Sequence, residues 1–260
     1  MSETKTYVKW IRENSRVTLV LDRPEALNAV NTEVLMQLEE CLDRIKQDPS
    51  IRFVVLTGAG ERSFCAGGDI CEQNENGVLQ AVGFAENGHR VTRKLETLPC
   101  VTLAVVNGYA LGGGCELALA CDLRIATPNA SFALPETHLG IIPGWGGTQR
   151  LPRLIGKGFA KEMIFTGERI KADKAYRFGL VNEIVERENT EEYIGKMQEQ
   201  LAANSANAIR TAKRSIDEGY EMEIDQAFRH EILCYASTFA HPDQKEGMSA
   251  FEEKRKADFE

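Results

Sequence analysis

The apolar residues of the first sixty positions switch between a strand pattern and a helix pattern. The β-branched run Arg16–Leu21 predicts a strand that ends before a proline-containing turn. From Asn31 or Thr32, either of which can cap a helix, the apolar spacing becomes helical. The apolar positions of this predicted helix are Val34, Leu35, Leu38, Cys41, Leu42 and Ile45. The continuous apolar run Phe53–Thr57 then predicts a strand in a sheet that is covered on both faces.

The same alternation continues through the middle of the chain. A helical pattern over about 78–98 precedes a second buried strand, Val101–Val106. A short helix over Gly114–Ala120 leads to another strand, Leu123–Ala126, and to a brief apolar segment, Ser131–Leu134. Repetition of strand, turn, helix and strand indicates an α/β fold.

The strand signal fades after Val185. Three later segments have helical spacing: Thr190–Ala203, Ala206–Gly219 and Ile224–Phe239. We therefore divide the chain into a catalytic core over 1–190 and a C-terminal helical region over 191–260.

The composition limits the classes of protein to which the chain can belong. With 260 residues and 43% hydrophobic content, the chain fits one large domain, or one domain with a small appendage. Its formal charge of -8 argues against nucleic acid as the main partner, because phosphate contacts need clustered Lys and Arg. An acidic chain can still carry a local basic pocket for a phosphorylated ligand.

Cysteine usage and hydropathy point to the cytoplasm. The seven cysteines are odd in number and form no CxxC pair, which favours reduced thiols over a disulfide framework or a metal site. No apolar run reaches the roughly 20 residues of a membrane span. The first residues carry no signal-peptide pattern. We expect a cytoplasmic protein without a metal ion and without a membrane partner.

Two glycine-rich segments are candidates for anion binding through the backbone. Asn107–Glu116 contains three consecutive glycines between a strand and a helix, where free amides and the helix dipole favour negative charge. This segment fits neither the dinucleotide G-x-G-x-x-G pattern nor a P-loop. An earlier glycine turn, Ser63–Asp69, would supply a second free amide.

Two glutamates accompany the glycines. Glu116 falls in the first turn of the predicted helix among apolar neighbours, and its alternative role is to stabilise the helix dipole. Glu136 follows Pro135 and, taken alone, would be a helix-start or surface acid. Two amide donors and two carboxylates together suit proton transfer next to a polarised carbonyl, with the amides holding an enolate oxygen.

These motifs resemble those of the crotonase family, also called the enoyl-CoA hydratase/isomerase family. Three further stretches carry the resemblance, which covers nearly the whole chain in the family's order: Arg23–Ala29, Ile142–Pro152 and Glu246–Lys256. The last of these resembles the family's C-terminal helix. The resemblance implies a spiral of repeated ββα units with a C-terminal helical trimerisation region. It also implies an acyl-CoA substrate and a homotrimer or homohexamer.

The resemblance assigns catalytic roles to four residues. The backbone amides of Gly68 and Gly113 would hold the thioester oxygen. Glu116 would activate water for attack at C3, and Glu136 would give a proton to C2. The implied activity is that of an enoyl-CoA hydratase, which forms 3-hydroxyacyl-CoA from 2-enoyl-CoA. No separate cofactor is implied, since CoA arrives as part of the substrate.

The resemblance also implies a set of substrate contacts: Ala26, Leu27, Ala66, Gly67, Asp69, Ile70, Tyr235 and Lys254. Ala66 and Ile70 would lie beside the pantetheine, Tyr235 near the adenine, and Lys254 at a CoA phosphate. For Asp69 we favour a structural role in which it ties down the glycine turn.

One departure from the family pattern keeps alternatives open. Many short-chain hydratases carry Phe-Gly-Gln-Pro-Glu where this chain has Ala133 and Leu134 before Pro135. Leu134 cannot donate a hydrogen bond to Glu136 or to water. A Δ3,Δ2-enoyl-CoA isomerase and a crotonase-type enzyme for an unusual acyl group are therefore alternatives. A non-catalytic acyl-CoA-binding or RNA-binding protein is an alternative of a different class.

Overall fold

The structure is a computed structural model that describes residues 5–259. The chain divides into two compact units. The first extends to Leu98 and resumes over Thr102–Glu191, and the second combines Pro99–Val101 with the chain from Glu192 onward. Over the described range, none of the helices combines the length and apolar character that crossing a membrane requires.

Short strands and helices alternate through the first unit. The strands of the described chain are β1 (Val8–Glu13), β2 (Arg16–Leu21), β3 (Phe53–Gly58), β4 (Ser63–Cys65), β5 (Val101–Val106), β6 (Tyr109–Leu111), β7 (Leu123–Ala126), β8 (Ser131–Ala133), β9 (Ile170–Lys171) and β10 (Glu183–Ile184). The helices up to residue 177 are α1 (Thr32–Gln47), α2 (Ile70–Gln73), α3 (Val78–Glu96), α4 (Gly113–Leu119), α5 (Gly147–Ile155), α6 (Lys157–Thr166) and α7 (Ala172–Arg177). Short 3-10 helices cover Pro24–Ala26, Glu136–Leu139 and Arg187–Asn189.

The strands form two sheets. The six-stranded sheet has the order β1-β2-β3-β5-β7-β10, and the four-stranded sheet has the order β4-β6-β8-β9. In the larger sheet β1 and β2 are antiparallel, whereas β2 and β3 are parallel. All six residues of β5 are buried, which explains its uninterrupted apolar sequence.

The smaller sheet brings distant parts of the sequence to one edge. Strands β4, β6 and β8 run parallel, with Cys65 opposite Ala110 and Leu111 opposite Ala133. Parallel strands in register end at the same edge of a sheet. The segments that follow these three strands therefore emerge side by side, and these segments hold both glycine motifs and Glu136.

Helix α1 shows how local sequence places a boundary. The side chain of Asn31 accepts a hydrogen bond from the Val34 amide (2.9 Å), so Asn31 is the N-cap. Arg44 and Lys46 occupy the last turn, where positive charge complements the helix dipole. The buried residues of α1 are Val34, Leu35, Leu38, Leu42 and Ile45. The predicted helix and its apolar face are therefore confirmed.

The second unit contains four helices: α8 (Thr190–Ala202), α9 (Ala206–Gly219), α10 (Ile224–Thr238) and α11 (Pro242–Glu252). The first two residues of α8 belong to the first unit. Ser205 caps α9 and donates a hydrogen bond to the buried Asp243 in α11. This Ser205–Asp243 bond joins the start of α9 to the start of α11.

Most predicted elements agree with the structure, and one needs correction. Strands Arg16–Leu21, Val101–Val106 and Leu123–Ala126 have the predicted bounds. The prediction that the C-terminal helix extends through 246–256 is wrong, because α11 ends at Glu252 and Lys254 has a left-handed backbone (φ 56°). The basic residues 254–256 therefore follow the helix instead of forming its last turn.

Candidate active site

The two glycine segments touch through their backbones. Gly67 has a φ of 98°, and a Cβ added to it would lie 2.7 Å from the Leu111 carbonyl oxygen. A Cβ on Gly114 would lie 2.1 Å from the carbonyl oxygen of Cys65. Only glycine allows both approaches, at Gly67 also because of its backbone conformation. The missing side chains therefore let the turn after β4 lie directly against the start of α4.

Two backbone amides in these segments remain available as donors. Val30 pairs with the earlier glycine turn through two hydrogen bonds, from its amide to Gly67 O and from the Asp69 amide to Val30 O, both 2.8 Å, and this pairing bypasses the Gly68 amide. Gly113 is the first residue of α4 and has no carbonyl one turn earlier to accept its N–H. Within residues 5–259, neither the Gly68 amide nor the Gly113 amide donates a hydrogen bond.

Glu116 projects from the first turn of α4 into a buried position with 2% of its surface exposed. Its Oε1 accepts hydrogen bonds from the amides of Trp145 (2.7 Å) and Gly147 (2.6 Å). Burial raises the pKa of Glu116, and these two amides oppose the rise by stabilising the ionised form. In the described chain no side chain or amide binds Oε2, which leaves that oxygen for water or a substrate.

Glu136 begins the 3-10 helix that follows β8 and Pro135. A Cβ added to Gly112 would lie 2.9 Å from Oε1 of Glu136, so the carboxylate lies against the glycine loop. Its Oε2 is buried and has no hydrogen-bond partner among the described residues. Burial first, and then the charge of Glu116, raises the pKa of Glu136 to about 7.

A buried oxygen without a partner is costly, so its presence in a folded protein needs an explanation. For Glu136 the cost falls when the carboxyl is protonated, which agrees with its raised pKa. Strongly perturbed pKa values in a cleft are typical of groups that transfer protons. The pair Glu116 and Glu136 is therefore suited to hold one proton between two acids.

The two residues that follow Glu136 fix its segment through hydrogen bonds to backbone carbonyl oxygens. The hydroxyl of Thr137 donates to Ile164 O (2.9 Å), and the ring of His138 makes a hydrogen bond with Thr166 O (2.7 Å). Leu134 is fully buried, and its Cδ1 lies 3.0 Å from the position of a Cβ on Gly147. The family's common glutamine is thus replaced here by an apolar packing residue, and Glu136 receives no hydrogen bond from that position.

The predicted substrate contacts of the first unit lie on connected loops. Leu27 has a left-handed backbone (φ 53°), and its carbonyl accepts a hydrogen bond from the Ala66 amide (3.1 Å). Asp69 caps α2 by accepting from the Cys71 amide (3.1 Å) and also pairs with Arg23 (3.2 Å). Ala26 ends the preceding 3-10 helix. The Asp69 contacts agree with a structural role for that side chain.

Ile70 begins α2 and is more than half exposed. It directly follows Asp69, whose side chain caps this helix. An apolar side chain that remains open to solvent next to the glycine turn is available for contact with a ligand.

Tyr235 and Lys254 belong to the second unit. Tyr235 packs edge-on against Phe239, with ring centroids 5.1 Å apart, and lines a cavity of about 520 Å³ between α9, α10 and α11. Arg255 is paired with Glu246 and Glu253, whereas the Lys254 ammonium forms no ion pair with a described residue. Lys254 is therefore a cation of this turn that is available to an anionic ligand.

Sequence reasoning missed the contribution of Trp145. Its amide binds Glu116, and its carbonyl accepts from Thr92 (3.2 Å) and Arg150 (2.9 Å). Arg150 in turn pairs with Glu96 (3.0 Å). The available signal was a tryptophan flanked by glycines in the Ile142–Pro152 motif, but spacing alone does not reveal which backbone amide meets a carboxylate.

The remaining candidates have structural surroundings. Cys65 and Cys115 are fully buried, and burial raises the pKa of both thiols, that of Cys65 to about 12. Such thiols are packing residues, because a nucleophilic cysteine needs an accessible thiolate. A search of the described residues for clusters of His, Cys, Asp and Glu that could hold a metal ion found none.

Comparison with known proteins identifies the family of the chain. The family model described as enoyl-CoA hydratase/isomerase matches residues 12–260. The chain belongs to this family. It is 42% identical over 248 residues to Crotonyl-CoA hydratase of Syntrophomonas wolfei, covering 95% of each chain. It is 44% identical over 245 residues to Short-chain-enoyl-CoA hydratase of Clostridium acetobutylicum, covering 94% of each.

Solved structures of the family share the fold. The crystal structure of enoyl-CoA hydratase from Bacillus anthracis superimposes with a TM-score of 0.94 at 39% identity, covering 98% of this chain and 99% of that one. The prediction of a crotonase-like α/β fold with ββα units and C-terminal helices is thereby confirmed.

Proposed function

We propose that this protein is an enoyl-CoA hydratase that adds water reversibly to a 2-enoyl-CoA. The observation that carries the proposal is the buried, unpartnered Oε2 of Glu136 beside Glu116 and the glycine loop. The names of the relatives, crotonyl-CoA hydratase and short-chain-enoyl-CoA hydratase, support the same reaction class. Family membership narrows the chemistry, and the two carboxylates favour hydration within it.

The amides of Gly68 and Gly113 form the oxyanion hole in this proposal. They donate hydrogen bonds to the thioester oxygen as it gains charge, since neither amide has another acceptor in the described chain. Gly113 also lies at the start of α4, where the helix dipole favours negative charge, although α4 is short. Stabilising the enolate oxygen makes C3 electrophilic and allows C2 to accept a proton.

Glu116 and Glu136 then transfer one proton each. Ionised Glu116, stabilised by two backbone amides, takes a proton from the water whose oxygen bonds to C3. Protonated Glu136 transfers its proton to C2 as the double bond is lost. Afterwards Glu116 is protonated and Glu136 is ionised, and proton exchange with solvent restores the starting state. Dehydration of 3-hydroxyacyl-CoA follows the same steps in reverse.

The binding of CoA extends the proposal to the loops and to the second unit. Ala26 and Leu27 would belong to the loop that binds CoA, and Ala66 and Ile70 would lie beside the pantetheine. Tyr235 would lie near the adenine, and Lys254 would contact a phosphate. CoA would enter as part of the substrate, without a further cofactor, because amides and carboxylates handle all developing charge. A homotrimer or homohexamer in the cytoplasm is the expected setting, and light scattering on the purified protein measures the assembly.

The isomerase alternative rests on Glu136 alone. A single base can move a proton between C4 and C2, and the surroundings of Glu136 suit that task as well as hydration. The ordered Glu116, held by two amides, favours hydration because isomerisation does not need it. An RNA-binding role is disfavoured by the formal charge of -8.

A screen of enoyl-CoA thioesters tests the proposal. Purified protein is mixed with 2-enoyl-CoA and 3-enoyl-CoA substrates, and the absorbance of the conjugated double bond is followed. Hydration removes this absorbance, whereas isomerisation of a 3-enoyl-CoA creates it. Loss of absorbance that disappears in Glu136→Gln supports the hydratase. A gain of absorbance from 3-enoyl-CoA without any hydration would contradict the hydratase proposal and support the isomerase alternative.

A further inference from the structure

Trp145 places a large aromatic ring at the glycine loop. The residue is 3% exposed, and a Cβ added to Gly113 would lie 2.4 Å from Cζ3 of its indole. A Cβ on Gly88 of α3 would lie 2.0 Å from the indole Nε1. Any side chain at Gly88 or Gly113 would therefore displace the ring. Two glycines, on α3 and on α4, make room for this one indole.

A second aromatic residue extends the surface toward the other amide donor. Phe84 of α3 packs against Trp145 with ring centroids 5.3 Å apart and planes tilted by 41°. A Cβ on Gly68 would lie 3.2 Å from Cζ of Phe84. The two rings, which we call the aromatic wall, thus reach from Gly113 to Gly68. These are the residues whose amides would hold the thioester oxygen.

The positions of the two carboxylates determine where the acyl chain would lie relative to the aromatic wall. A thioester held by both amides must place C2 and C3 within reach of Glu136 and Glu116. The Trp145 amide itself donates to Glu116 (2.7 Å), so the indole belongs to the residue that positions the water-activating acid. Carbon atoms beyond C3 would therefore extend close to the wall.

We propose that the indole of Trp145 closes one side of the acyl pocket and restricts the enzyme to short acyl chains. This inference rests on the proposed function and specifies its substrate class. The ring is rigid, with two side-chain torsions, and it is confined by Gly88 next to Nε1, by Gly113 next to Cζ3, and by the ring of Phe84. It therefore cannot swing aside at low cost to admit a longer chain, as a flexible methionine would.

The role of the ring is separable from the role of the backbone. Trp145 holds Glu116 through its amide, and its carbonyl is fixed by Thr92 and Arg150. A substitution that shortens the side chain retains all three hydrogen bonds. A change in chain-length preference can thus be produced without removing the contact that orients Glu116.

The test is a comparison of acyl lengths in Trp145→Phe and Trp145→Ala. We measure kcat/KM for 2-enoyl-CoA substrates of four, six, eight and ten carbons. The matched control is Trp10→Phe, because Trp10 is the only other tryptophan and lies on β1 under the guanidinium of Arg44. One methylene in an apolar pocket changes kcat/KM by about 10-fold or more. The wild-type enzyme should therefore favour four carbons over eight by at least about 10-fold.

In Trp145→Ala the eight-to-four-carbon ratio of kcat/KM should rise by at least about 10-fold, with Trp145→Phe between the two and Trp10→Phe unchanged. Wild-type activity that is equal on four and eight carbons would overturn the inference. A parallel fall at every length in the variants would also overturn it. If Trp145→Ala does not fold, the smaller shift in Trp145→Phe decides.

Binding separates this inference from the proposed function. Dissociation constants for the unreactive butanoyl-CoA and octanoyl-CoA report the pocket without any chemistry. Suppose that no enoyl-CoA is hydrated but Trp145→Phe improves octanoyl-CoA binding relative to butanoyl-CoA. The hydratase proposal then fails, whereas the inference that Trp145 limits acyl-chain length is supported. If hydration is seen and neither variant changes relative binding or kcat/KM with length, the wall fails and the hydratase proposal remains.

Discussion

The two glutamates of the candidate site have the same side chain in contrasting surroundings. Glu116 lies in the first turn of a regular helix, and one of its oxygens accepts two short hydrogen bonds from amides. Glu136 lies on a single 3-10 turn, and one of its oxygens is buried without a described partner. Amide donors favour the ionised form, whereas unrelieved burial favours the protonated form. The contrast shows how one residue type can supply both a base and an acid at neutral pH.

The difference also extends to what supports each residue. Glu116 is oriented by the amides of Trp145, which lies just before α5, and of Gly147, the first residue of that helix. Glu136 is oriented from behind, through hydrogen bonds that Thr137 and His138 make with carbonyl oxygens at and near the end of α6. These contacts leave Oε2 of Glu136 without a described partner, while one oxygen of Glu116 accepts two hydrogen bonds and the other accepts none from a described residue.

We expect the largest loss of activity when Glu136, the proposed acid of the pair, is replaced. Glu136→Gln keeps the size of the side chain and removes the transferable proton, so hydration should fall by several powers of ten. Binding of a CoA ester, measured by calorimetry with a saturated analogue, should be retained. A kcat within threefold of the wild-type value would exclude Glu136 as the proton donor.

We expect the next largest loss of activity when Glu116, the proposed base of the pair, is replaced. Glu116→Gln should lower water addition by about 10²–10⁴, the usual contribution of a general base. Any conversion of 3-enoyl-CoA to 2-enoyl-CoA should fall less, because Glu136 can shuttle that proton alone. Both activities are measured on the same preparation. Equal losses would show that the two carboxylates do not divide the work in this way.

The pH dependence of kcat/KM sharpens the comparison. The active pair holds one proton, and the pKa of Glu136 of about 7 marks the loss of that proton. Activity should therefore decrease as pH rises through about 7, and it should also decrease at low pH when Glu116 gains a proton. Since hydration releases no net proton, both reaction directions should share one bell-shaped profile.

Glu116→Gln provides the control for this profile. Removing the neighbouring charge should lower the pKa of Glu136, since the charge of Glu116 helps to raise it. Residual isomerisation begins with ionised Glu136 taking a proton from C2, so its rate should rise with pH through the pKa of Glu136. This rising limb should lie at lower pH in Glu116→Gln than in the wild type. An unchanged limb would show that another group controls it.

The substitution Glu136→Gln, which should lower activity most, should raise stability above pH 7. The pKa of Glu136 in the folded chain lies above its ordinary value of 4.5, so its contribution to stability is fully present below about pH 4.5 and is lost as pH rises through about 7. Glu136→Gln cannot ionise and should be more stable than wild type above pH 7, by at most about 3 kcal/mol. Urea unfolding at pH 5 and pH 8 measures this, and a difference that does not grow with pH would contradict the assigned pKa.

The smallest effect concerns a residue outside the pair. Lys254→Ala should raise KM for a CoA substrate by a few-fold, since exposed charge pairs contribute about 1 kcal/mol or less. It should barely affect a pantetheine substrate that lacks the phosphate, and its effect should shrink at high salt. An equal rise in KM for both substrates would show that Lys254 does not contact the phosphate. An unchanged kcat in this variant separates binding defects from those at the two glutamates.

Local sequence was sufficient wherever a signal lies within one element. The cap at Asn31, the apolar face of α1, and the strands β2, β5 and β7 follow from spacing and composition. Strands β4 and β6, with three residues each, are too short to show a period, and their pairing joins residues that are far apart in sequence. The end of α11 was missed because Lys254 adopts a left-handed conformation that is uncommon for a lysine.

The sequence alone determined the family, the order of its motifs and the identity of the two glutamates, because these depend on which residues are present and in what order. Only the tertiary structure decided how they meet. The register that places Leu111 opposite Ala133 brings the segments bearing Glu116 and Glu136 to one edge. The rise in the Glu136 pKa and the indole against Gly113 follow from that packing. Desolvation, charge repulsion and pocket shape depend on distances between residues, and these distances exist only once the chain has folded.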